Sequence, residues 1–187
     1  MLKKRTVTLE GRDSSFVLNL TELPALVADT HARKILKGIG EAPDGGIVAL
    51  AFQHARAALK MDAGMLLPFV DGVVEGTQGA RPLDIKNDIK DWRHVSRLQH
   101  FALSLHVDFL IGRDTLDIPV TLQAQNILAG SATVCATFCS SQIAAVLSER
   151  LATYRELETI LSTEDVFNLC EILNVTAIRD WQANQGT

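Results

Sequence analysis

The sequence predicts a mainly α-helical protein whose helical domain is preceded by an N-terminal β-hairpin. Two observations lead to this prediction. Apolar residues recur at steps of three and four along most of the 187-residue chain, which is the spacing of one face of a helix. Strict alternation of apolar and polar residues, which is typical of strands, is clear only near the N-terminus.

The hairpin is predicted at about residues 5–20. Val7 and Leu9 alternate with polar residues, and a second alternating run extends from Phe16 to Leu20. The intervening sequence GRDSS is rich in turn-forming residues and has a suitable length for a hairpin turn. Because an isolated hairpin is only marginally stable in water, we expect it to pack on a helix or to pair with another copy. Its edges are candidate partner sites.

Two helices are expected after the hairpin. The first begins near Pro24, whose fixed φ suits the first turn of a helix, and ends near Gly38. The second is alanine-rich and covers residues 47–59. For residues 65–74 we predict a kinked or two-piece short helix, because Pro68 interrupts an otherwise apolar run.

The longest predicted helix runs from Asp91 to Gly112. Asp91 is suited to cap its start, and Gly112 suits the left-handed position beyond its end. Its apolar residues form one narrow stripe, here called the central stripe: Val95, Leu98, Ala102, Leu105 and Phe109. We expect other helices to pack on the central stripe and predict it as a partner-binding surface. Either it is used wholly inside the protein, or its far end at Phe109 is shared with another copy or a partner helix; we predict the shared role.

The most plausible internal boundary follows the long helix. Residues 1–112 are predicted to form the hairpin and a helical domain, and residues 113–187 a C-terminal helical region, either separate or packed on the first as one unit. The glycine-rich residues 76–82 are predicted to be a loop. A short strand over residues 116–122 is an open alternative, because apolar residues alternate there.

The C-terminal region is predicted to contain three helices. Apolar residues lie near helical spacing over residues 134–147, and a second, short helix is expected over residues 154–161. The sequence from Ser162 to Asp165 has the character of a capping box. It would open a final helix that continues to about Trp181.

Composition limits the possible classes of function. A hydrophobic content of 47% is ordinary for a globular protein, and the apolar runs are too short to span a bilayer. The N-terminus lacks the apolar segment of a secretory signal. A net charge of −4 and an aromatic content of 5% offer neither a basic field nor a stacking platform for nucleic acid. The composition therefore predicts neither a membrane nor a nucleic-acid partner.

The residue patterns predict no enzyme, metal site or cofactor. His94, His100 and His106 are spaced six residues apart, so on a helix they point in three directions and cannot share a metal. Cys135 and Cys139 share a helix face but have no further ligand nearby in sequence, so we interpret them as buried thiols in a reducing compartment. The sequence has neither a recognisable phosphate-binding loop nor an arrangement of nucleophile, base and orienting group.

Three segments resemble the tail assembly chaperones of long-tailed bacteriophages. The first is the hairpin followed by LTELPALVADTHARKIL, in which Leu23, Pro24 and Ala25 match the helix entry found in many of those chains. The second, DIKDWRHVSRLQHFALSLHVDFL, is similar to their later helix, which ends on phenylalanine. The third, RLATYRELETILSTEDVFNLCEIL, is similar to a tail-protein segment in which one helix precedes an acidic-capped helix. Together the three segments cover fewer than half of the 187 residues.

The resemblance implies a non-enzymatic protein of the host cytoplasm that binds the tape measure protein and brings tail tube subunits to it, as a homo-oligomer. A tape measure protein has extended apolar helical surface, which apolar grooves on a chaperone could cover. An alternative is a structural virion protein, such as a tail-completion or head–tail joining subunit. A third reading is a small DNA-binding helical regulator, for which Arg93, His94 and Arg97 provide a sparse basic face.

Overall fold

A computed structural model gives the fold of the protein. The structure describes residues 1–10, 14–38, 70–76, 79–89, 91–114, 116 and 138–185. The strands are β1 (Lys4–Glu10), β2 (Ser14–Thr21), β3 (Val70–Gly76) and β4 (Arg81–Pro82). The helices are α1 (Ala25–Gly38), α2 (Ile85–Asp88), α3 (Trp92–Val107), α4 (Ser141–Ser148), α5 (Tyr154–Thr159) and α6 (Thr163–Gln185), and a 3₁₀ turn at Asp108–Leu110 follows α3.

The four strands form one antiparallel sheet in the order β1-β2-β3-β4. β1 and β2 are the predicted hairpin, with Lys4 paired to Thr21 and Glu10 paired to Ser15. β3 pairs with the other side of β2, so β2 is a central strand. In the described part of the chain, β1 is therefore an edge of the sheet.

β3 corrects the prediction of a short helix over residues 65–74. From Val70 the chain is a strand, and its seven residues pair with β2; residues 65–69 lie outside the described part. Val73 and Val74 are adjacent and do not alternate with polar residues, so the sequence lacks the apolar–polar alternation that predicts a strand. β4 likewise falls within the stretch predicted as a loop.

Helix α3 covers one face of the sheet. Asp91 caps its start by accepting a hydrogen bond from the backbone N–H of Arg93 at 2.9 Å, and Gly112 has a φ of +74°, both as predicted. The helix itself is shorter than predicted, ending at Val107. The buried apolar residues of this layer are Val7, Leu9, Phe16, Leu18, Leu20, Val74, Ile89, Leu98 and Leu105. The expectation that helices would pack on the central stripe is wrong for its first part, because the stripe packs on strands.

Helix α1 and the C-terminal region form a second hydrophobic cluster. Its buried members come from the start of α1 and from residues 139–170: Ala25, Leu26, Cys139, Ile143, Val146, Ala152, Leu157, Val166 and Cys170. Ser162 and Asp165 exchange hydrogen bonds at the start of α6, the predicted capping box: the N–H of Asp165 donates to Ser162 Oγ, and the N–H of Ser162 to Asp165 Oδ2. Since α1 shares this core, the boundary at residue 112 does not separate the two clusters; the division into two domains remains a prediction.

Several predictions lie partly or wholly outside the described residues. These are the helix over residues 47–59, the alternative strand over residues 116–122 and the first part of the helix over residues 134–147. Within the described residues the chain is dominated by helices, as predicted, but it carries a four-stranded sheet rather than a hairpin alone.

Candidate partner-binding groove

The structure divides the central stripe into two parts. Leu98 and Leu105 are buried against the sheet, and Val95 packs on the same cluster while remaining half-buried. The side chain of Ala102 lies outside the described part. Phe109 lies beyond α3, in the 3₁₀ turn, and is half-buried. Partner binding by the central stripe remains a prediction, and Phe109 is the member that reaches towards the C-terminal helices.

Phe109 leads into a contact between the end of α3 and α6. Its ring stands at 68° to the ring of Phe167, with the centroids 5.3 Å apart. The chain then turns at Gly112. The guanidinium of Arg113 lies over the ring of Phe167, 4.6 Å from its centroid. Arg113 also donates to Oδ1 of Asn168 at 2.8 Å and forms an ion pair with Glu171. These contacts hold Arg113 against the first half of α6.

Beyond Arg113, an open groove of about 420 Å³ follows α6; we call it the α6 groove. Its lining residues recur at helical spacing: Asn168, Glu171, Ile172, Val175, Thr176 and Arg179, with Arg113 at one end. From residue 168 to residue 179 the groove covers about 16 Å, or three turns of helix. Ile172 is 54% exposed, so an apolar side chain is presented to solvent at its centre.

The second half of α6 leaves apolar side chains partly exposed next to the groove. Val166 and Cys170 in the first turns are buried in the helical cluster. From Glu171 to Gln185 no residue is fully buried, although this stretch contains apolar side chains: Ile172, Leu173, Val175, Ala177, Ile178 and Trp181. A helix with this many half-exposed apolar residues has more apolar surface than its contacts within the described residues cover.

A buried carboxyl group lies where the sheet meets the start of α6. Glu22 is 0% exposed, and its Oε2 accepts from the backbone N–H of Lys3 at 3.1 Å, whereas Oε1 is buried with no hydrogen-bond partner. Burial raises the pKa of Glu22 to about 7, and the nearby carboxylates of Glu164 and Asp165 act in the same direction. Lys3 opposes them. Nothing in the local sequence around Glu22 marks it as a buried acid, so its burial could not be predicted from the residue pattern.

Two of the histidines on α3 serve the fold. His106 is buried, and its Nε2 accepts a hydrogen bond from the backbone N–H of Leu23 at 3.2 Å. His94 is also buried; its Nε2 lies 3.1 Å from the carbonyl oxygen of Glu10, and its ring packs edge-on against Phe16. The described residues contain no group of three histidine, cysteine, aspartate or glutamate side chains arranged to hold a metal ion.

Cys139 is buried, as predicted, and so is Cys170; burial raises the pKa of each thiol to about 11. Cys135 lies outside the described residues, so the predicted packing of the Cys135–Cys139 pair stays a prediction. None of the helices that the structure describes is both long and apolar enough to cross a membrane. In comparisons with known proteins, the chain matches no family model, no curated protein and no solved structure.

Proposed function

We propose that the protein is a phage tail assembly chaperone, which binds the tape measure protein and recruits tail tube subunits during tail morphogenesis in the host cytoplasm. The observation that carries the proposal is the α6 groove, with Ile172 54% exposed at its centre. An apolar strip edged by charged side chains is typical of a surface that receives an amphipathic helix. The resemblance of the sequence to tail assembly chaperones supplies the identity of that helix.

The dimensions of the α6 groove suit a short helical segment. Three turns of a partner helix would place apolar residues at positions i, i+3 or i+4 and i+7 against Ile172 and Val175. At one end of the groove, Arg113 and Glu171 already neutralise each other. At the other end the exposed Arg179 would favour an acidic side chain on the partner. The proposed role of the groove residues is partner binding, and no catalytic step is assigned to them.

Co-expression with the tape measure protein tests the proposal. We expect the chain to keep the tape measure protein soluble and to co-purify with it, and Ile172→Asp to lose both effects because it places a charge in the apolar strip. Ile160→Asp is the matched control, since Ile160 is also 54% exposed but lies between α5 and α6, away from the groove. Equal binding by both variants would exclude the α6 groove as the binding site. A wild-type chain that neither binds nor solubilises the tape measure protein would contradict the function itself.

A second measurement separates the chaperone from the structural virion protein considered above. A chaperone acts during assembly and leaves, so we expect the chain in infected-cell lysates and not in purified virions. Quantitative mass spectrometry of both samples decides the matter. Stoichiometric copies in purified virions would favour the tail-completion or head–tail joining role.

A further inference from the structure

The outer edge of β1 has a defined hydrogen-bonding pattern. The backbone N–H of Glu22 donates to the carbonyl oxygen of Lys3 at 2.8 Å, so the peptide groups of Lys3 point towards β2. In an antiparallel pair this direction alternates from residue to residue, and the register of β1 with β2 is regular from Lys4 to Glu10. The peptide groups of the even-numbered residues of β1 therefore point away from β2, to the edge of the sheet.

The side chains of β1 alternate in the same way. Val7 and Leu9 are buried beneath α3. The even-numbered residues are exposed on the opposite face of the sheet: Lys4, Thr6, Thr8 and Glu10. The strand contains no proline and no bulge that would interrupt pairing, and such an edge is a ready template for another strand.

We propose that two copies of the protein pair through β1 in antiparallel orientation, about a two-fold axis at Val7, and so join their sheets into one. The support is the self-complementarity of the strand in this register. Lys4 lies opposite Glu10 of the second copy, and Thr6 lies opposite Thr8 of the second copy. Opposite charges directly across antiparallel strands are favourable, whereas like charges are unfavourable. Both ion pairs lie on the exposed face.

No neighbouring register is equally good. Moving the strands by two residues in one direction places Thr6 opposite itself and Lys4 opposite a threonine. Moving them in the other direction places Thr8 opposite itself and Glu10 opposite a threonine. Both shifts separate Lys4 from Glu10 and shorten the ladder below the seven residues of β1. A one-residue shift would exchange the buried and exposed faces.

The remaining contacts of β1 are compatible with this pairing. Arg5 is held on the α3 side, where its guanidinium donates to Ser104 Oγ at 2.6 Å and lies 3.6 Å from Asp108 Oδ2, so it does not add a positive charge to the exposed face. His94 Nε2 contacts the carbonyl oxygen of Glu10, which has a second lone pair for a strand partner. The inferred dimer depends on β1 alone and goes beyond the binding of a tape measure helix at α6.

Charge reversal tests the pairing. We expect light scattering and sedimentation of the wild-type chain to give twice its mass of 20.4 kDa. Lys4→Glu and Glu10→Lys should each weaken the dimer about tenfold or more, because two-fold symmetry turns two attractions into two repulsions. The double variant Lys4→Glu/Glu10→Lys should restore wild-type affinity to within about threefold. Arg155→Glu and Glu158→Lys, exposed on α5, are matched controls that should leave the dimer unchanged. A monomeric wild type, or a double variant as weak as the singles, would overturn the proposal.

Cysteine cross-linking tests the register. Directly opposed residues in a hydrogen-bonded pair have Cα atoms about 5.5 Å apart, within reach of a disulfide. A mixture of Thr6→Cys and Thr8→Cys chains should therefore form the cross-linked dimer under mild oxidation, while each variant alone should not. Cross-linking of Thr6→Cys or Thr8→Cys alone would show a shifted register and refute the axis at Val7. Circular dichroism of each variant establishes that the fold is retained. Co-purification with the tape measure protein tests binding at the α6 groove separately from dimerisation through β1.

Discussion

The ring of Phe109 stands edge-on against the ring of Phe167, with centroids 5.3 Å apart. Phe109 follows α3, which packs on the sheet, whereas Phe167 belongs to α6 in the helical cluster. Cations lie near both rings: Lys3 Nζ is 5.1 Å from the centroid of Phe109, and Arg113 covers Phe167. This aromatic pair connects the 3₁₀ turn after α3 to α6, at the end of the α6 groove.

Replacing Phe109 with alanine should lower the free energy of unfolding by about 2 kcal/mol. This is less than the 3–5 kcal/mol typical of a buried phenylalanine, because Phe109 is half-buried, but it includes the lost contact with Phe167. Urea unfolding measures the change, with Phe138→Ala as the control, since Phe138 is 55% exposed. The variant should remain folded while binding of the tape measure protein weakens. A variant that is fully unfolded would show that Phe109 has a purely internal role.

Replacing Gly72 with alanine should destabilise the sheet by about 2 kcal/mol or more. A Cβ at this position would lie 2.2 Å from the carbonyl oxygen of Val17 and 3.1 Å from Cα of Leu18, so β2 and β3 would have to separate. Gly112→Ala is an informative comparison. A Cβ added there would meet no atom within 4 Å, but the backbone φ of +74° is unfavourable for alanine, so the substitution should lower the free energy of unfolding by about 1 kcal/mol. Urea unfolding of both variants tests whether the close approach in β3 is the more costly constraint.

Features governed by neighbouring residues could be predicted from the sequence. The hairpin follows from two alternating runs with a turn between them, and the start of α3 follows from the capping chemistry of Asp91. The positive φ of Gly112 was also predicted, but it lies beyond the 3₁₀ turn and not at the end of α3, which is Val107. β3 could not be predicted in this way, because it is stabilised by pairing with β2, a strand far earlier in the chain, and its own valines are adjacent.

The groove required the same kind of long-range information. Arg113 and Asn168 are 55 residues apart in sequence, so no local pattern indicates that they meet. The central stripe was visible as a period of three and four residues, but periodicity identifies a buried face without identifying what covers it. Here strands cover Leu98 and Leu105, while Phe109 turns towards α6.

The thiols of Cys139 and Cys170 should react slowly in the native protein. Burial raises the pKa of each from 9.0 to about 11, so at pH 8 the reactive thiolate is about a hundredfold scarcer than for an unshifted thiol, and access is restricted as well. Peptide mapping after brief iodoacetamide treatment should find both residues largely unmodified without urea and modified in urea. Rapid native labelling of either cysteine would contradict its buried position.

Glu22 should make the protein less stable as pH rises. Its pKa is about 7 in the folded protein and 4.5 as an ordinary glutamate, so between these values the folded state holds a proton that the unfolded state has released. The stabilisation is fully present below pH 4.5 and is lost as pH rises through 7, and it amounts to about 3 kcal/mol. Glu22→Gln keeps a carbonyl oxygen for the N–H of Lys3 but cannot ionise. Urea unfolding should therefore give equal stability for wild type and variant near pH 4.5, and a more stable variant at pH 8.

The control for Glu22 is Glu158→Gln, which also removes one carboxylate but from an exposed position on α5. Other groups titrate over the same range, so the informative quantity is the difference between each variant and wild type at the two pH values. That difference should grow with pH for Glu22→Gln and stay near zero for Glu158→Gln. Parallel pH profiles for all three proteins would mean that the carboxyl of Glu22 ionises without penalty. That result would contradict the prediction, because ionising a buried carboxyl group whose Oε1 has no hydrogen-bond partner should cost free energy.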